Sequence, residues 1–127
     1  MRRERITTDR APAAIGPYSQ GIRANGFIFF SGQIPLNPVS GEVVQGNIAV
    51  QAEIVMNNIE ALLSACGIGF ENVVKTTIFL TNLADFGTVN EIYGRRFNSE
   101  PPARSTVEVK ALPKGVDIEI EVIAVDG

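Results

Sequence analysis

The sequence predicts an α+β fold, a single mixed sheet with two helices packed on one face, and three observations carry that prediction. An Asn-Gly step joins two strand-like runs near the start, at SQGIRA-NG-FIFFS. Residues 47–66 repeat apolar side chains at helical spacing. The last run, DIEIEVIAV, alternates acidic and aliphatic residues, as a strand with one covered face does. The chain has 127 residues, a length that fits one domain, so 1–127 is read as a single domain. A sheet covered on one side only leaves the other face open, a natural place for self-association.

Each element follows from local chemistry. Asn25-Gly26 supplies the positive φ angles of a tight hairpin turn, so 19–24 and 27–31 are expected to pair antiparallel. PLNPVSGEV is a loop rich in turn formers. In the first helix Ala52, Val55, Met56, Ile59, Leu62, Leu63 and Cys66 make the inward stripe, with Glu53, Asn57, Glu60 and Ser64 opposite. Asn47 can cap its start and Gly67 can end it in a left-handed conformation. VVKTTIFL, 73–80, is β-branched and aromatic, hence a strand. A second helix is expected from an Asp85 cap through FGTVNEIYGRRFN, with Phe86, Val89, Tyr93 and Phe97 inward, and Pro101-Pro102 forbid its continuation. Strands at 104–110 and 117–125 complete the order strand, strand, strand, helix, strand, helix, strand, strand.

Composition excludes much chemistry. Eleven basic against 14 acidic residues leave a formal charge of −3, a poor match to a nucleic-acid binder. The basic cluster MRRER reads as a solvated start, with an RNA-contacting arm as its functional alternative. The one cysteine, Cys66, cannot form an internal disulfide, and as part of the apolar stripe it reads as packing. There is no apolar leader pattern and no run near the roughly 20 residues of a membrane span, so a soluble, cytoplasmic protein is expected. With no histidine, Ser-His-Asp and Cys-His arrangements and the common metal clusters are out of reach. No GxGxxG, P-loop or GxSxG occurs, and nothing implies a nucleotide, flavin or metal cofactor.

What remains is centred on PPARSTVEV, 101–109. Strand alternation puts Arg104, Thr106 and Glu108 on one face, and Asp117, Glu119 and Glu121 together on one face of the last strand. The expectation is that both sets lie on the open side of the sheet. Arg104 would there be either the partner of Glu119 or Glu121 in a salt bridge, or a planar fork offered to a substrate carboxylate. Glu119 would be the other half of that pair, or a group that positions or deprotonates water. Tyr18 in GPYSQG reads as a loop anchor, Ser31 in FFSGQ as a turn former and Asn90 as an exposed helix residue.

PPARSTVEVKALPKGVDIEIEVIAV resembles the C-terminal signature of the Rid family of reactive intermediate deaminases, formerly the YjgF family. APAAIGPYSQG, FSGQIPLNPVSGEVV and VVKTTIFLTNLADFGTVNEIY are similar to its other motifs, in the same order, across nearly the whole chain. The resemblance implies a chorismate-mutase-like fold, a homotrimer with open sheet faces turned inward, and active sites in clefts between subunits. It also implies cofactor-free hydrolysis of enamine and imine intermediates (2-aminoacrylate, 2-iminopropanoate, 2-iminobutanoate) to 2-keto acid and ammonia, as in the RidA branch. Position by position, the carboxylate-binding arginine falls on Arg104, the water-positioning glutamate on Glu119, and pocket residues on Tyr18, Ser31 and Asn90. Many RidA relatives have cysteine where this chain has Thr106, a further expected contact to substrate.

Such a reaction suits the residues available, because an imine is already electrophilic and needs orientation more than a strong nucleophile. Two other readings stay open. A carboxylate-binding module sensing 2-keto acids would need Arg104 but gains nothing from Glu119. RNA cleavage or translational inhibition, attributed to some relatives, is disfavoured by the acidic balance and the lack of histidine.

Overall fold

The computed structural model describes residues 2–127. Its elements are β1 (Arg3–Ile6), β2 (Gly21–Ala24), β3 (Phe27–Phe30), α1 (Ile48–Ala65), β4 (Val73–Leu80), α2 (Phe86–Gly94), β5 (Ala103–Glu108) and β6 (Ile118–Val125). Six strands form one mixed sheet in the order β1-β2-β3-β6-β4-β5. Every pairing is antiparallel except β4 with β5, which the α2 crossover joins in parallel.

The β2–β3 hairpin turns where expected, with φ of 58° at Asn25 and 82° at Gly26, the angles a two-residue turn of this hand requires. In α1 the Asn47 side chain accepts from the Val50 amide at 3.0 Å, and Gly67 closes the helix at φ 73°. Amides of Gly67 and Ile68 satisfy the last carbonyls of α1 at Ser64 and Leu63. The α1 stripe packs on the aliphatic side of β6 and β4. Val55, Met56, Ile59, Leu62 and Leu63 meet Ile28, Ile78, Leu80, Ile118 and Ile120, all essentially sealed from solvent. Truncating Leu62 or Ile59 to alanine there would cost about 2–5 kcal/mol.

Several expectations are corrected. The MRRER segment is not merely a solvated start, because Arg3–Ile6 is an edge strand paired with β2. Glu4 on it takes the Arg23 guanidinium, which also meets Asp126 at 2.8 Å. The cap before α2 is Asn82, not Asp85: its Oδ1 accepts from the Ala84 amide and starts a 3₁₀ turn that runs into the helix, while Asp85 makes no side-chain cap bond. Helix α2 ends at Gly94, short of the expected 98, since a glycine in a final turn favours leaving the helix. Val89 and Tyr93 of its stripe are buried, and Phe86 and Phe97 pack on the core's margin. Asp117 precedes β6 and does not join Glu119 and Glu121. Gln51 of α1 grips it, taking the Asp117 amide at 2.9 Å and donating to its carboxylate at 2.8 Å.

The face away from the helices is open. Phe27, Phe29 and Val107 stand exposed on it. Strand register places Arg3 and Arg5 on its β1 edge and Glu119 and Glu121 near its middle. No helix among the described residues is long and apolar enough to cross a membrane.

Candidate active site

The candidate residues fall into two groups. The first surrounds Arg104. Parallel pairing sets Arg104 beside Thr76, Thr106 beside Ile78 and Glu108 beside Leu80, and those β4 residues are fully buried under the helices. Arg104, Thr106 and Glu108 therefore point to the helix side, contrary to the expectation that they share the open face with Glu119. Two contacts bear this out. Glu108 accepts from the Leu83 amide at 2.8 Å ahead of α2, while Ser105, on the other face, accepts from Lys75 at 3.0 Å. The physical reason is position in the sheet: β5 is an edge strand, and its helix-side face meets only α2 and solvent, so it can be polar.

On that face Arg104 is well held. Its guanidinium carbon lies 5.1 Å from the ring centres of both Phe86 and Tyr93, and Nη1 donates to Asn90 Oδ1 at 2.6 Å. Aromatic faces attract a guanidinium and leave its in-plane N–H edges available. Tyr93 is itself fixed, sharing a 2.7 Å hydrogen bond with the buried Thr76 hydroxyl, and burial pushes its phenol up so that it stays neutral. Asn90, Tyr93, Phe97, Pro101, Pro102 and Arg104 line a depression of about 430 Å³. Two residues along β5, the Thr106 hydroxyl oxygen is enclosed without a hydrogen-bond partner. Arg104 forms no salt bridge among the described residues, so the expected pairing with Glu119 or Glu121 is not made within the chain.

The second group surrounds Glu119 in a cavity of about 570 Å³ walled by Ile15, Tyr18, Ser31, Gln33, Leu36 and Val39, among others. Ser31 is turned away from a free role, since its hydroxyl donates to the Ser19 carbonyl at 2.6 Å. Tyr18 is 54% exposed, with its phenol oxygen 3.4 Å from the Ile15 amide that donates to it. Gln20, buried at the root of this loop, ties it down by bonding the Thr8 amide and carbonyl and the Pro12 carbonyl. Glu119 is half-buried, accepts no hydrogen bond from the described residues, and its carboxyl is held above the ordinary glutamate range by burial first and by neighbouring Glu121 second.

The structure thus brings Arg104, Asn90 and Thr106 together, and separately Tyr18, Ser31 and Glu119. Sequence reasoning missed Phe86 and Tyr93 as the bed of the arginine, treating both as core stripe. It also missed Gln20 and Gln33 as loop anchors. The i, i+4, i+7 spacing of Phe86, Asn90 and Tyr93 is the signal that could have grouped them with one neighbour.

The fold is a one-sided α+β sheet bearing an aromatic-bedded arginine and a half-buried glutamate that accepts no hydrogen bond, with no metal-ligand cluster among the described residues. The family model described as endoribonuclease L-PSP matches residues 8–126, and the chain belongs to that family, the Rid or YjgF family. It is 55% identical to protein DfrA of Myxococcus xanthus, over 98% of this chain and 97% of the relative. It is 49% identical to the 2-iminobutanoate/2-iminopropanoate deaminase of Mus musculus, over 98% and 93%. The crystal structure of the Rid-family protein YyfA from Yersinia pestis superposes with a TM-score of 0.95 at 50% identity, covering 98% of this chain and 99% of that one.

Proposed function

We propose that this protein is a cofactor-independent deaminase that hydrolyses short 2-imino acids, and the enamines that tautomerise to them, to 2-keto acid and ammonia. The observation that carries the reading is Arg104: a guanidinium braced by two rings and Asn90, with no carboxylate partner among the described residues. A planar fork so held matches a substrate carboxylate in bidentate geometry. The mouse relative named for this reaction, 49% identical across nearly the whole chain, supports the same substrate class.

In this reading Arg104 binds the carboxylate, and the enclosed Thr106 hydroxyl and the Tyr18 ring flank the substrate. The Glu119 carboxylate takes a proton from water as the water oxygen bonds to the iminium carbon, and the C=N π pair moves to nitrogen. The same carboxyl returns that proton to the amino group of the resulting carbinolamine; a hydroxyl-oxygen lone pair closes the C=O bond as the C–N bond breaks, and the hydroxyl proton passes to the departing ammonia, which leaves as ammonium. Water and the iminium ion are consumed, keto acid and ammonium appear, and Glu119 ends as the carboxylate it began as.

Arg104 and Glu119 line different depressions and emerge on opposite faces of one sheet. The reading therefore places each active site between protomers of a homotrimer, Arg104 and Asn90 from one and Glu119, Tyr18 and Ser31 from its partner. The open sheet faces, with exposed Phe27, Phe29 and Val107, turn inward. A second reading has a specific basis: the arginine bed is complete within one protomer and would bind a 2-keto acid without turnover. Keto-acid release from freshly generated 2-aminoacrylate, with the supplying lyase in every sample, separates the two. Acceleration by the native protein and not by Arg104→Ala is expected; no acceleration by either, with 2-keto acid binding lost in the variant, would leave the binding module.

A further inference from the structure

We infer that Gly32 is a positioning residue for Glu119: its missing side chain is the space in which the carboxylate rests, and any Cβ there displaces it. A Cβ built on Gly32 would lie 2.0 Å from Glu119 Oε2 and 2.9 Å from its Cδ, closer than real Cβ atoms approach a neighbour. The glycine is not needed for its backbone, since Gly32 is not among the residues with positive φ. Space alone accounts for it.

Which side would yield is settled by the hydrogen bonds. The backbone around Gly32 is fastened on both flanks. The Ser31 amide donates to the Gln20 carbonyl at 3.0 Å, and Gln33 exchanges amide–carbonyl bonds with Ile120 at 2.8 and 3.0 Å. The Gln33 side chain adds a bond to the Ser31 carbonyl at 3.0 Å. The Glu119 carboxylate has no such hold among the described residues, so contact with Gly32 is what limits where it can lie. Glu121 on the same strand face repels it, and Lys114 on the cavity wall makes no salt bridge with it. A methyl group at 32 would swing the carboxylate out into the open cavity and leave the chain path unchanged.

The catalytic part of this inference rests on the deaminase reading; the positional part does not. The test is Gly32→Ala in the full chain, followed by thermal melting, ¹³C-carboxyl NMR titration of Glu119, and kcat and KM for imine hydrolysis. The variant should fold with its melting temperature unchanged or raised, because alanine restricts the unfolded chain. Glu119 should titrate lower, nearer an ordinary glutamate, as it leaves its buried position. The kcat should fall about a hundredfold, the scale of a misplacement near 1 Å, with KM held. Combined with Glu119→Gln, Gly32→Ala should cost nothing further, since it acts through the same group. A folded variant with native titration and kcat, a loss fully additive to Glu119→Gln, or a variant that unfolds because the backbone yields first would each overturn the inference. Should the native protein prove inactive, the titration alone still decides whether Gly32 positions Glu119.

Discussion

The two halves of the candidate site are built on opposite principles. Arg104 itself is held on several sides: two ring faces, the Asn90 carbonyl oxygen and, behind them, the Tyr93–Thr76 hydrogen bond. Around Glu119 none of the described residues donates a hydrogen bond, and the carboxylate is placed by shape and penalised by burial. A bonded, rigid cation suits binding, because orientation of the ligand is decided before it arrives. An unbonded carboxylate with a raised pKa suits proton transfer, because hydrogen bonds to it would stabilise the charge it must give up.

The largest expected effect is on the acidic half. Glu119→Gln should lower kcat by about 10²–10⁴-fold while KM stays near native, measured in steady state. In the native protein kcat should fall as pH drops through the raised Glu119 pKa, a decline beginning at higher pH than an ordinary glutamate gives. The same shift bears on stability. The folded state holds this proton more tightly than the unfolded chain does, so the carboxyl's stabilising contribution is full below the ordinary glutamate pKa and is lost as pH rises through the folded value. At pH 7 the buried charge is a cost, and Glu119→Gln should therefore raise the melting temperature. A lowered one would show that something in the native assembly compensates the charge.

The cationic half comes next. Arg104→Ala should cost about 2–5 kcal/mol in kcat/KM, roughly thirtyfold to several thousandfold, without loss of fold. Arg104→Lys should be nearly as damaging, since an ammonium cannot reproduce the fork. Full activity in either variant would end the assignment.

The bed of the arginine gives the smallest effect and separates two roles of one residue. Tyr93→Leu removes a ring face and should raise KM by the equivalent of about 0.5–2 kcal/mol. Tyr93→Phe keeps the ring, so KM should hold, but the buried Thr76 hydroxyl loses its partner at a stability cost of about 1–3 kcal/mol. Equal KM changes in the two variants would mean that the phenol, not the ring, supports Arg104.

Much of this was legible in the sequence. Asn25-Gly26 marked the hairpin, and Asn47, Gly67 and the aliphatic spacing between them marked α1, because each signal is local. Strand β1 was not legible: a four-residue edge strand carrying Arg3, Glu4 and Arg5 is polar, as edges often are, and so looks like a solvated tail. The face of Arg104 was not legible either. Alternation within RSTVEV says which residues share a face but not which face, and that choice is made by parallel pairing with β4, a non-local fact. Hence candidate residues such as Arg104 and Glu119 could be named from the sequence, whereas the bed of Phe86 and Tyr93 and the division of the candidates into two groups could not.

That division underlies the proposal that one protomer's arginine works with another's glutamate. Its most direct test is to unfold and reassemble Arg104→Ala and Glu119→Gln chains together in equal amounts and measure keto-acid release. Each variant alone lacks one half of every site. In mixed trimers one interface in three regains both halves, so random assembly should restore about a quarter of native activity. A mixture no more active than its two parents would contradict a site shared between subunits.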